Sequence, residues 1–387
     1  MPDRGPGEQL KIAVVGVSEG AVCGVRDYAA VLTAALAAEG STVTTHWLTR
    51  AQAGATAARA EIADWAAKLE VELRGEAPDA VLLHYSVFAY AYRGVPVFVP
   101  RLLRAARVPG APVISVLHEV AYPFRHRGWR AKLWAVSQRT LLISVMRASA
   151  AVLVTADFRA AWLSSRRWLP ERPIALAPVH SALPPPRHGF RDDGAGQRLG
   201  LFGYAYQGAV VSLVLDALRA VRESHPQARL VLLGAPGADS AVGEEWLASA
   251  RTRGLDDAVS FSGTLGAQEL SDAIAASEVL LFADETGPAS RKSSLAAALA
   301  SGRPVVAIDG PRRWQELVDA RAISLAAPVP DALARAVGAL LEDGERGDAL
   351  GERGQRFARE RMSPETGARA IVDLYAKLRA APGGRAA

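Results

Sequence analysis

Short apolar runs alternate with longer amphipathic segments along most of the chain. In the first half, five runs have the composition of buried β-strands, and the alanine-rich segments between them have helical periodicity. These runs span residues 11–16, 41–48, 79–85, 112–118 and 151–155. Strands that alternate with helices are typical of a parallel sheet with crossover helices. The pattern therefore predicts an α/β fold for this half.

A second series of the same kind follows a stretch that is rich in proline and glycine. Its five apolar runs span residues 198–203, 228–234, 258–263, 278–283 and 303–308. The stretch between the two series lacks periodicity, so we interpret residues 183–198 as a linker between domains at 1–182 and 199–364. Two Rossmann-like halves are predicted, and the cleft between them is the expected ligand site. Residues 343–379 are predicted to be helical, with a break at 359–364.

Composition narrows the class of protein. Of the 387 residues, 50% are hydrophobic and 22% are charged, which excludes a disordered chain, a collagen and a small disulfide scaffold. The single cysteine, Cys23, can form neither an intramolecular disulfide nor a cysteine-rich metal site, so a reducing, cytoplasmic environment is expected. The longest apolar stretch, residues 141–156, contains Arg147 and is shorter than the roughly 20 residues that cross a bilayer. No His, Asp or Glu cluster has metal-ligand spacing, so no metal site is predicted.

The net charge of +5 is unevenly distributed. Residues 120–156 contain no Asp or Glu, and aromatic residues lie between their basic side chains. The basic residues are Arg125, Arg127, Arg130, Lys132, Arg139 and Arg147, beside Tyr122, Phe124, His126, Trp129 and Trp134. This pattern is typical of a peripheral contact with an anionic membrane, but it also suits an acceptor phosphate or a plain solvent-exposed helix. Nucleic-acid binding is not predicted, because the charge is local and no recognised reading motif accompanies it.

Candidate ligand groups follow the strands of the first domain. Gly20 and Gly24 precede a helix, but their spacing is not the dinucleotide fingerprint GxGxxG, which disfavours an NAD-dependent dehydrogenase. Their loop is either an acceptor or phosphate loop or a plain strand-to-helix turn. His118 ends a buried-type strand, where open parallel sheets place ligand residues. It either binds a ligand or bonds to neighbouring backbone groups, and both alternatives also hold for His84.

The most specific segment of the second domain is residues 282–310. A strand ends there, a loop turns, and a small-residue helix is predicted over 293–300 with Ser290 as its N-cap. This reading places Arg291 and Lys292 in the first turn, where the helix dipole already favours anions. Two cations at a helix N-terminus predict a bound diphosphate, although charged residues on a surface turn are the alternative.

Motifs along the whole chain resemble one enzyme family. They are CGVRDYAAVLTAAL, VLHE, FGYAYQG, VLLG, SFSGTLGAQELSDAIAASEVLLF and ASGRPVV. The chain resembles retaining glycosyltransferases of the GT-B fold, in the large family 4 (group 1). The resemblance implies a first domain that binds the acceptor, a second domain that binds a nucleotide diphospho-sugar, and a last helix at 365–387 that crosses back to the first domain. It also implies transfer with retention of configuration, without a metal and without a cofactor beyond the donor.

The residues and the resemblance together assign a candidate site. His118 is expected to touch the reacting sugar, and Arg291 and Lys292 to neutralise the departing diphosphate. Gly20 and Gly24 form the candidate acceptor or phosphate loop. The candidate donor-binding residues are Gly203, Gly234, Gly263, Thr264, Leu265, Asp284, Glu285, Gly287, Ser290, Ser293 and Ser294. The acceptor is expected to be a glycan, a lipid-linked intermediate or a natural product.

The sequence departs from the family pattern at the donor site. Family members usually carry two glutamates eight positions apart, and Pro288 and Ala296 stand at those positions here. Where the family tends to carry an Arg and a Lys for the diphosphate, this chain has Tyr204 and Gln207. The donor site is therefore expected to be reshaped.

Other residues are candidates to replace the missing glutamates and the missing Arg and Lys. The SRKSS segment, with Arg291 and Lys292, resembles a subgroup in which a Ser/Arg-rich turn replaces the glutamate motif. Asp284 or Glu285 is expected to take over contacts to the sugar hydroxyls, which need acceptors. The alternative to an enzyme is a non-catalytic GT-B protein that binds a glycan or a partner transferase.

Overall fold

The chain forms two compact α/β units. A computed structural model describes residues 9–18, 20, 23–51, 54–91, 95, 97–121, 124, 128–187 and 197–380. The first unit comprises Met1–Pro178 and Pro364–Ala387, and the second comprises Val179–Ser363. Each unit contains one parallel sheet of six strands with helices packed on it. The first unit is therefore discontinuous in the sequence.

The sheet of the first unit has the strand order β2-β1-β3-β4-β5-β6. Its strands are β1 (Lys11–Ser18), β2 (Thr42–Thr49), β3 (Ala80–Ser86), β4 (Val113–Glu119), β5 (Ala151–Val154) and β6 (Ile174–Leu176). Every residue of β3 is buried, as expected for a central strand that helices cover on both faces. The long apolar run that predicts β3 thus reflects burial on both of its faces.

Within the described residues, six helices cover this sheet, and one of them, α13, follows the second unit in the sequence. They are α1 (Gly24–Ala38), α2 (Ala55–Glu76), α3 (Val99–Ala105), α4 (Trp129–Ala148), α5 (Asp157–Ser164) and α13 (Pro364–Ala380). Gly367 of α13 lies so close to α1 that an added Cβ would be 3.1 Å from Cδ1 of Leu32. Helix α13 therefore completes the core of the first unit.

The sheet of the second unit has the strand order β12-β11-β10-β7-β8-β9. Its strands are β7 (Arg198–Phe202), β8 (Arg229–Leu233), β9 (Val259–Phe261), β10 (Val279–Phe282), β11 (Val305–Ile308) and β12 (Ser324–Ala326). The helices are α6 (Ala209–Ser224), α7 (Ala241–Arg251), α8 (Ala267–Ala275), α9 (Ser293–Ala300), α10 (Gln315–Asp319), α11 (Pro330–Glu342) and α12 (Gly344–Arg361). Trp246 of α7 is fully buried in the core of this unit.

The structure confirms the predicted α/β class and each of the ten predicted strands, with ends shifted by a few residues. It also confirms the helical break, because α12 ends at Arg361 and α13 begins at Pro364. Two strands, β6 and β12, are absent from the prediction. Both have only three residues and lie at a sheet edge, so their sequences lack a long apolar run.

Part of the predicted linker is fixed on helix α8. The carbonyl of Pro184 accepts a hydrogen bond from Ser271 Oγ at 2.6 Å, and the backbone N–H of Arg187 donates to Asp272 Oδ1 at 2.7 Å. Residues 188–196 of the linker lie outside the described residues. Among the helices described, none has the length and apolarity needed to span a membrane.

Candidate active site

The strand order of the second unit reverses beside β7. Strand β7 lies between β8 and β10, so the chain leaves β7 toward one edge of the sheet and later returns to its other side. In open parallel sheets, ligands bind at the carboxyl ends of the strands where this reversal occurs. The loops that follow β7 and β10 are therefore the first place to look for a ligand site.

A glycine after β7 allows helix α9 to approach this point closely. Gly203 has a φ of 78°, in the left-handed region that favours glycine, and an added Cβ would be 3.1 Å from Cβ of Ser294. Ser294 is the second residue of α9, so the first turn of the helix contacts the end of β7. Of the other candidate glycines, Gly234 follows β8 and Gly263 lies just beyond β9, at the same edge of the sheet.

The turn before α9 differs from the one predicted. Lys292 is the N-cap residue and the helix begins at Ser293, so Ser290 is not the N-cap, and neither Arg291 nor Lys292 is in the first helical turn. Ser290 is fully buried, and its carbonyl accepts a hydrogen bond from Val179 N at 2.8 Å. The helix starts only after a turn over residues 289–292, in which Lys292 N donates a hydrogen bond to the Ala289 carbonyl at 3.2 Å.

Close backbone contacts fix the loop that precedes this turn. Gly287 has a φ of 85°, and an added Cβ would be 2.9 Å from the backbone N of Gly310. The carbonyl of Pro288 accepts a hydrogen bond from Trp314 N at 2.7 Å. The loop after β10 is thereby fixed against the segment that follows β11.

Asp284 and Lys292 form an ion pair across this loop. Lys292 Nζ contacts Asp284 Oδ2, while Thr286 donates to Oδ1 from its backbone N at 2.8 Å and from Oγ1 at 2.6 Å. Burial alone would raise the pKa of the Asp284 carboxyl, but the hydrogen bonds from Lys292 and Thr286 outweigh it and lower that pKa. Both carboxylate oxygens therefore already have intramolecular partners. Glu285, the other candidate sugar contact, is exposed.

Arg291 has no such partner. Its Nε is buried and makes no hydrogen bond, and no carboxylate among the described residues pairs with its guanidinium. Tyr206, from the loop after β7, lies near Asp284, and both burial and that carboxylate raise the pKa of the Tyr206 phenol. The loops after β7 and β10 thus lie close together beside two cations. Lys292 is neutralised by Asp284, whereas Arg291 has no carboxylate partner among the described residues.

A pair of histidines occupies the corresponding edge of the first unit. His84 of β3 and His118 of β4 lie on neighbouring strands, and Nδ1 of His84 is 3.0 Å from Nε2 of His118. The two rings are stacked, with centroids 5.3 Å apart. The edge of the Tyr28 ring packs against His118 at a centroid distance of 5.2 Å. The sequence singles out both histidines, but it gives no sign of Tyr28.

Both imidazoles are neutral at pH 7. His84 is 1% exposed, and burial lowers its pKa to about 3. Burial, the neighbouring His84 and the positive charge of Arg159 hold the pKa of His118 well below its usual range. Of the glycines near this edge, Gly24 is the first residue of α1, and Gly20 has open space around it.

Comparison with known protein families bears on the second unit. The sequence profile of the family Glycosyl transferases group 1 matches residues 197–343. The chain carries a group 1 glycosyltransferase domain. Over these residues, the match confirms the family and the enzyme class that the sequence motifs predict. Comparison with curated proteins finds no match.

Solved structures show the same GT-B fold over nearly the whole glycosyltransferase chain. A sucrose-phosphate synthase from Thermosynechococcus elongatus is 17% identical with a TM-score of 0.68, and the alignment covers 97% of this chain and 100% of that one. HepE of Anabaena, in complex with UDP and glucose, is 15% identical with a TM-score of 0.63, covering 95% and 100%. WaaG, a glycosyltransferase involved in lipopolysaccharide biosynthesis, is 16% identical with a TM-score of 0.57, covering 92% and 98%.

The structure describes the four residues that stand where the family pattern has other groups, Tyr204, Gln207, Pro288 and Ala296. Tyr204 is fully buried, and its hydroxyl donates to the carbonyl of Gly234 at 2.9 Å and accepts from Gly237 N at 2.7 Å. It thereby braces the loop after β8. Pro288 and Ala296 are buried, and Gln207 is exposed.

Within the described residues, no three His, Cys, Asp or Glu side chains group closely enough to hold a metal ion.

Helix α4 carries a basic and apolar surface. Trp129, Leu133 and Val136 are 71%, 48% and 54% exposed, at helical spacings that place them on one face. We call these three residues the α4 stripe. Arg130 and Lys132 are exposed beside it, and the Arg139 guanidinium lies 3.9 Å from the ring centroid of Phe124. Of the basic and aromatic residues named in this segment, four lie outside the described residues: Tyr122, Arg125, His126 and Arg127.

Proposed function

We propose that this glycosyltransferase moves a sugar from a nucleotide diphospho-sugar to an acceptor hydroxyl, with retention of configuration and without a metal. The observation that carries the proposal is the uncompensated Arg291 guanidinium next to the N-terminal end of α9, at the reversal of strand order. HepE, whose fold is similar, was solved with UDP and glucose, which supports a nucleotide-sugar donor.

The donor diphosphate would bind at the start of α9. Backbone N–H groups and hydroxyls of Ser293 and Ser294 are suited to phosphate oxygens, and Arg291 would neutralise the charge that develops on the leaving diphosphate. Lys292 would be a secondary contributor to diphosphate binding, because its ammonium group is already paired with the Asp284 carboxylate. The nucleoside would lie along the loops that contain Gly234 and residues 263–265.

The acceptor and the reacting sugar would contact the first unit. His118 is expected to touch the sugar, since it lies at the carboxyl end of β4, and the loop of Gly20 and Gly24 is expected to bind the acceptor. The acceptor classes proposed are a glycan, a lipid-linked intermediate and a natural product. The similarity in fold to WaaG, which acts in lipopolysaccharide biosynthesis, supports a glycan or lipid-linked acceptor.

The proposal is tested with a panel of nucleotide sugars. At least one donor should release nucleoside diphosphate faster when an extract of glycans or glycolipids is added, and the rate should be unchanged by EDTA. NMR of the product should show the same anomeric configuration as the donor sugar. Absence of both binding and release for every UDP-, GDP- and ADP-sugar would contradict the proposal and favour the non-catalytic alternative.

We further propose that the α4 stripe contacts an anionic membrane surface. An apolar face flanked by cations, in a segment with no acidic residue, is the combination that peripheral binding requires. Each cation near an anionic surface contributes about 1 kcal/mol, and the partly inserted Trp129 adds apolar burial. Such a contact would bring the enzyme to a lipid-linked acceptor.

Liposome sedimentation checks the membrane contact. The protein should sediment with vesicles that contain phosphatidylglycerol, bind less at physiological salt than at low salt, and stay in solution with neutral vesicles. Leu133→Ser with Val136→Ser should reduce binding, and so should Arg130→Ser with Lys132→Ser. Matched controls in the same unit are Val71→Ser, which is 71% exposed on α2, and Arg101→Ser with Arg104→Ser, both exposed on α3. Equal binding of control and α4 variants would contradict the assignment.

A further inference from the structure

We propose that His84 is a positioning residue that fixes the tautomer of His118, so that His118 presents its Nδ1–H as a hydrogen-bond donor to the sugar. This inference rests on the proposed role of His118 in sugar binding. It assigns that histidine the part of a donor rather than of a base.

The argument begins with the single proton between the two rings. A neutral imidazole carries one N–H, so only one of the two rings donates in the hydrogen bond between Nδ1 of His84 and Nε2 of His118. Either His84 donates from Nδ1 and leaves its own Nε2 without a proton, or His118 donates from Nε2 and His84 carries its proton on Nε2. The surroundings of His84 Nε2 decide between these arrangements.

Nε2 of His84 is buried and has no hydrogen-bond partner. A proton on this atom would be an N–H donor removed from water with no acceptor, and such orphaned donors are rare in folded proteins. A bare lone pair at the same place is better tolerated, because acceptors with unused capacity are more common. His84 therefore donates from Nδ1, and Nε2 of His118 accepts.

Packing holds His84 in this orientation. The ring of Trp47 lies 5.9 Å from it and the ring of Tyr28 lies 6.2 Å from it, centroid to centroid. The hydroxyl of Tyr90 donates to the backbone carbonyl of His84. Burial keeps the pKa of His84 at about 3, so the ring stays neutral and keeps one N–H throughout the neutral pH range.

The consequence for His118 follows from the same proton count. Because its Nε2 accepts, its own proton is on Nδ1, which has no hydrogen-bond partner among the described residues. An N–H donor of a neutral ring suits a sugar hydroxyl oxygen or a ring oxygen. It cannot remove a proton from the acceptor hydroxyl, so His118 orients the sugar and does not act as the general base.

The tautomer is read directly from two-bond ¹H–¹⁵N correlation spectra of the ¹⁵N-labelled protein, with His118 assigned by the peaks lost in His118→Ala. In the protein without substitutions, His118 should show a protonated Nδ1 and an unprotonated Nε2. This measurement does not require an activity assay. A protonated Nε2 on His118 overturns the inference, and it does so without any variant at His84.

Two substitutions at His84 separate positioning from packing. His84→Asn keeps an N–H at the place of Nδ1, and the His118 tautomer should persist. His84→Leu has similar volume and no donor, and the proton of His118 should redistribute toward Nε2, with kcat lowered about tenfold and donor KM changed less than twofold. An unchanged tautomer in His84→Leu would refute the inference. Normal activity of His118→Ala, by contrast, would refute only the proposed role of His118.

Discussion

Replacing Arg291 by alanine should weaken the binding of a nucleoside diphosphate about 30-fold. A charge-assisted hydrogen bond from a partly buried cation is worth about 2 kcal/mol, and each 1.4 kcal/mol is a factor of ten in affinity. The change in unfolding free energy should be small, because Nε of Arg291 has no partner to lose. Isothermal titration calorimetry with UDP, GDP and ADP measures the first quantity, and chemical denaturation measures the second.

A matched arginine on the same unit provides the control. Arg335→Ala removes an exposed guanidinium from α11 and should leave nucleotide affinity unchanged. If Arg291→Ala also binds with unchanged affinity, the diphosphate does not bind at the start of α9. If both variants lose affinity equally, the effect comes from net charge rather than from a site.

Replacing Lys292 by alanine should lower the unfolding free energy by about 2 kcal/mol, less than the 3 to 5 kcal/mol expected of fully buried pairs. The substitution leaves the Asp284 carboxylate, whose side chain is 9% exposed, without its counter-ion, while Lys292 itself is 28% exposed. Adding Asp284→Asn, which removes the charge and keeps an oxygen for Thr286, should restore most of the loss. Denaturation of the single and double variants gives these values.

The pH dependence of this loss has a defined sign. The pKa of Asp284 is lowered in the folded protein, so the pair contributes stability at neutral pH and loses it as the pH falls through that pKa, below the ordinary value of about 4. The difference in unfolding free energy between the parent protein and Lys292→Ala should therefore become smaller as the pH falls. The control is Arg313→Ala, which breaks a more exposed pair with Asp309 and should cost less than about 1 kcal/mol. A Lys292→Ala cost no larger than the Arg313→Ala cost would contradict the prediction.

Much of the fold can be predicted from the sequence because buried parallel strands leave a strong local pattern. The central strands β3, β5, β10 and β11 are buried along their whole length, and the break before Pro364 follows from a residue that cannot continue a helix. The strands β6 and β12 are not predicted because each has only three residues and is partly exposed, so no long apolar run marks it. Their existence depends on neighbouring strands that are distant in the sequence.

The candidate site is less predictable, because its contacts cross loops and strands. Ser290 is a residue type that often caps helices, but it lies buried in the turn that Lys292 N closes on the Ala289 carbonyl, and the helix begins only at Ser293. The pairing of Asp284 with Lys292 depends on that same turn. His84 and His118 are 34 residues apart in sequence, and only the register of β3 against β4, with its irregularity after Tyr85, brings their rings together.

The return of α13 to the first unit has a consequence for biosynthesis. The second unit is contiguous in the sequence, whereas the first is complete only when Pro364–Ala380 is available to pack on α1. During translation, when domains normally fold in order from the N-terminus, the second unit can thus reach its native state while the first unit still has an uncovered apolar face. The nascent chain is therefore vulnerable to aggregation until α13 leaves the ribosome.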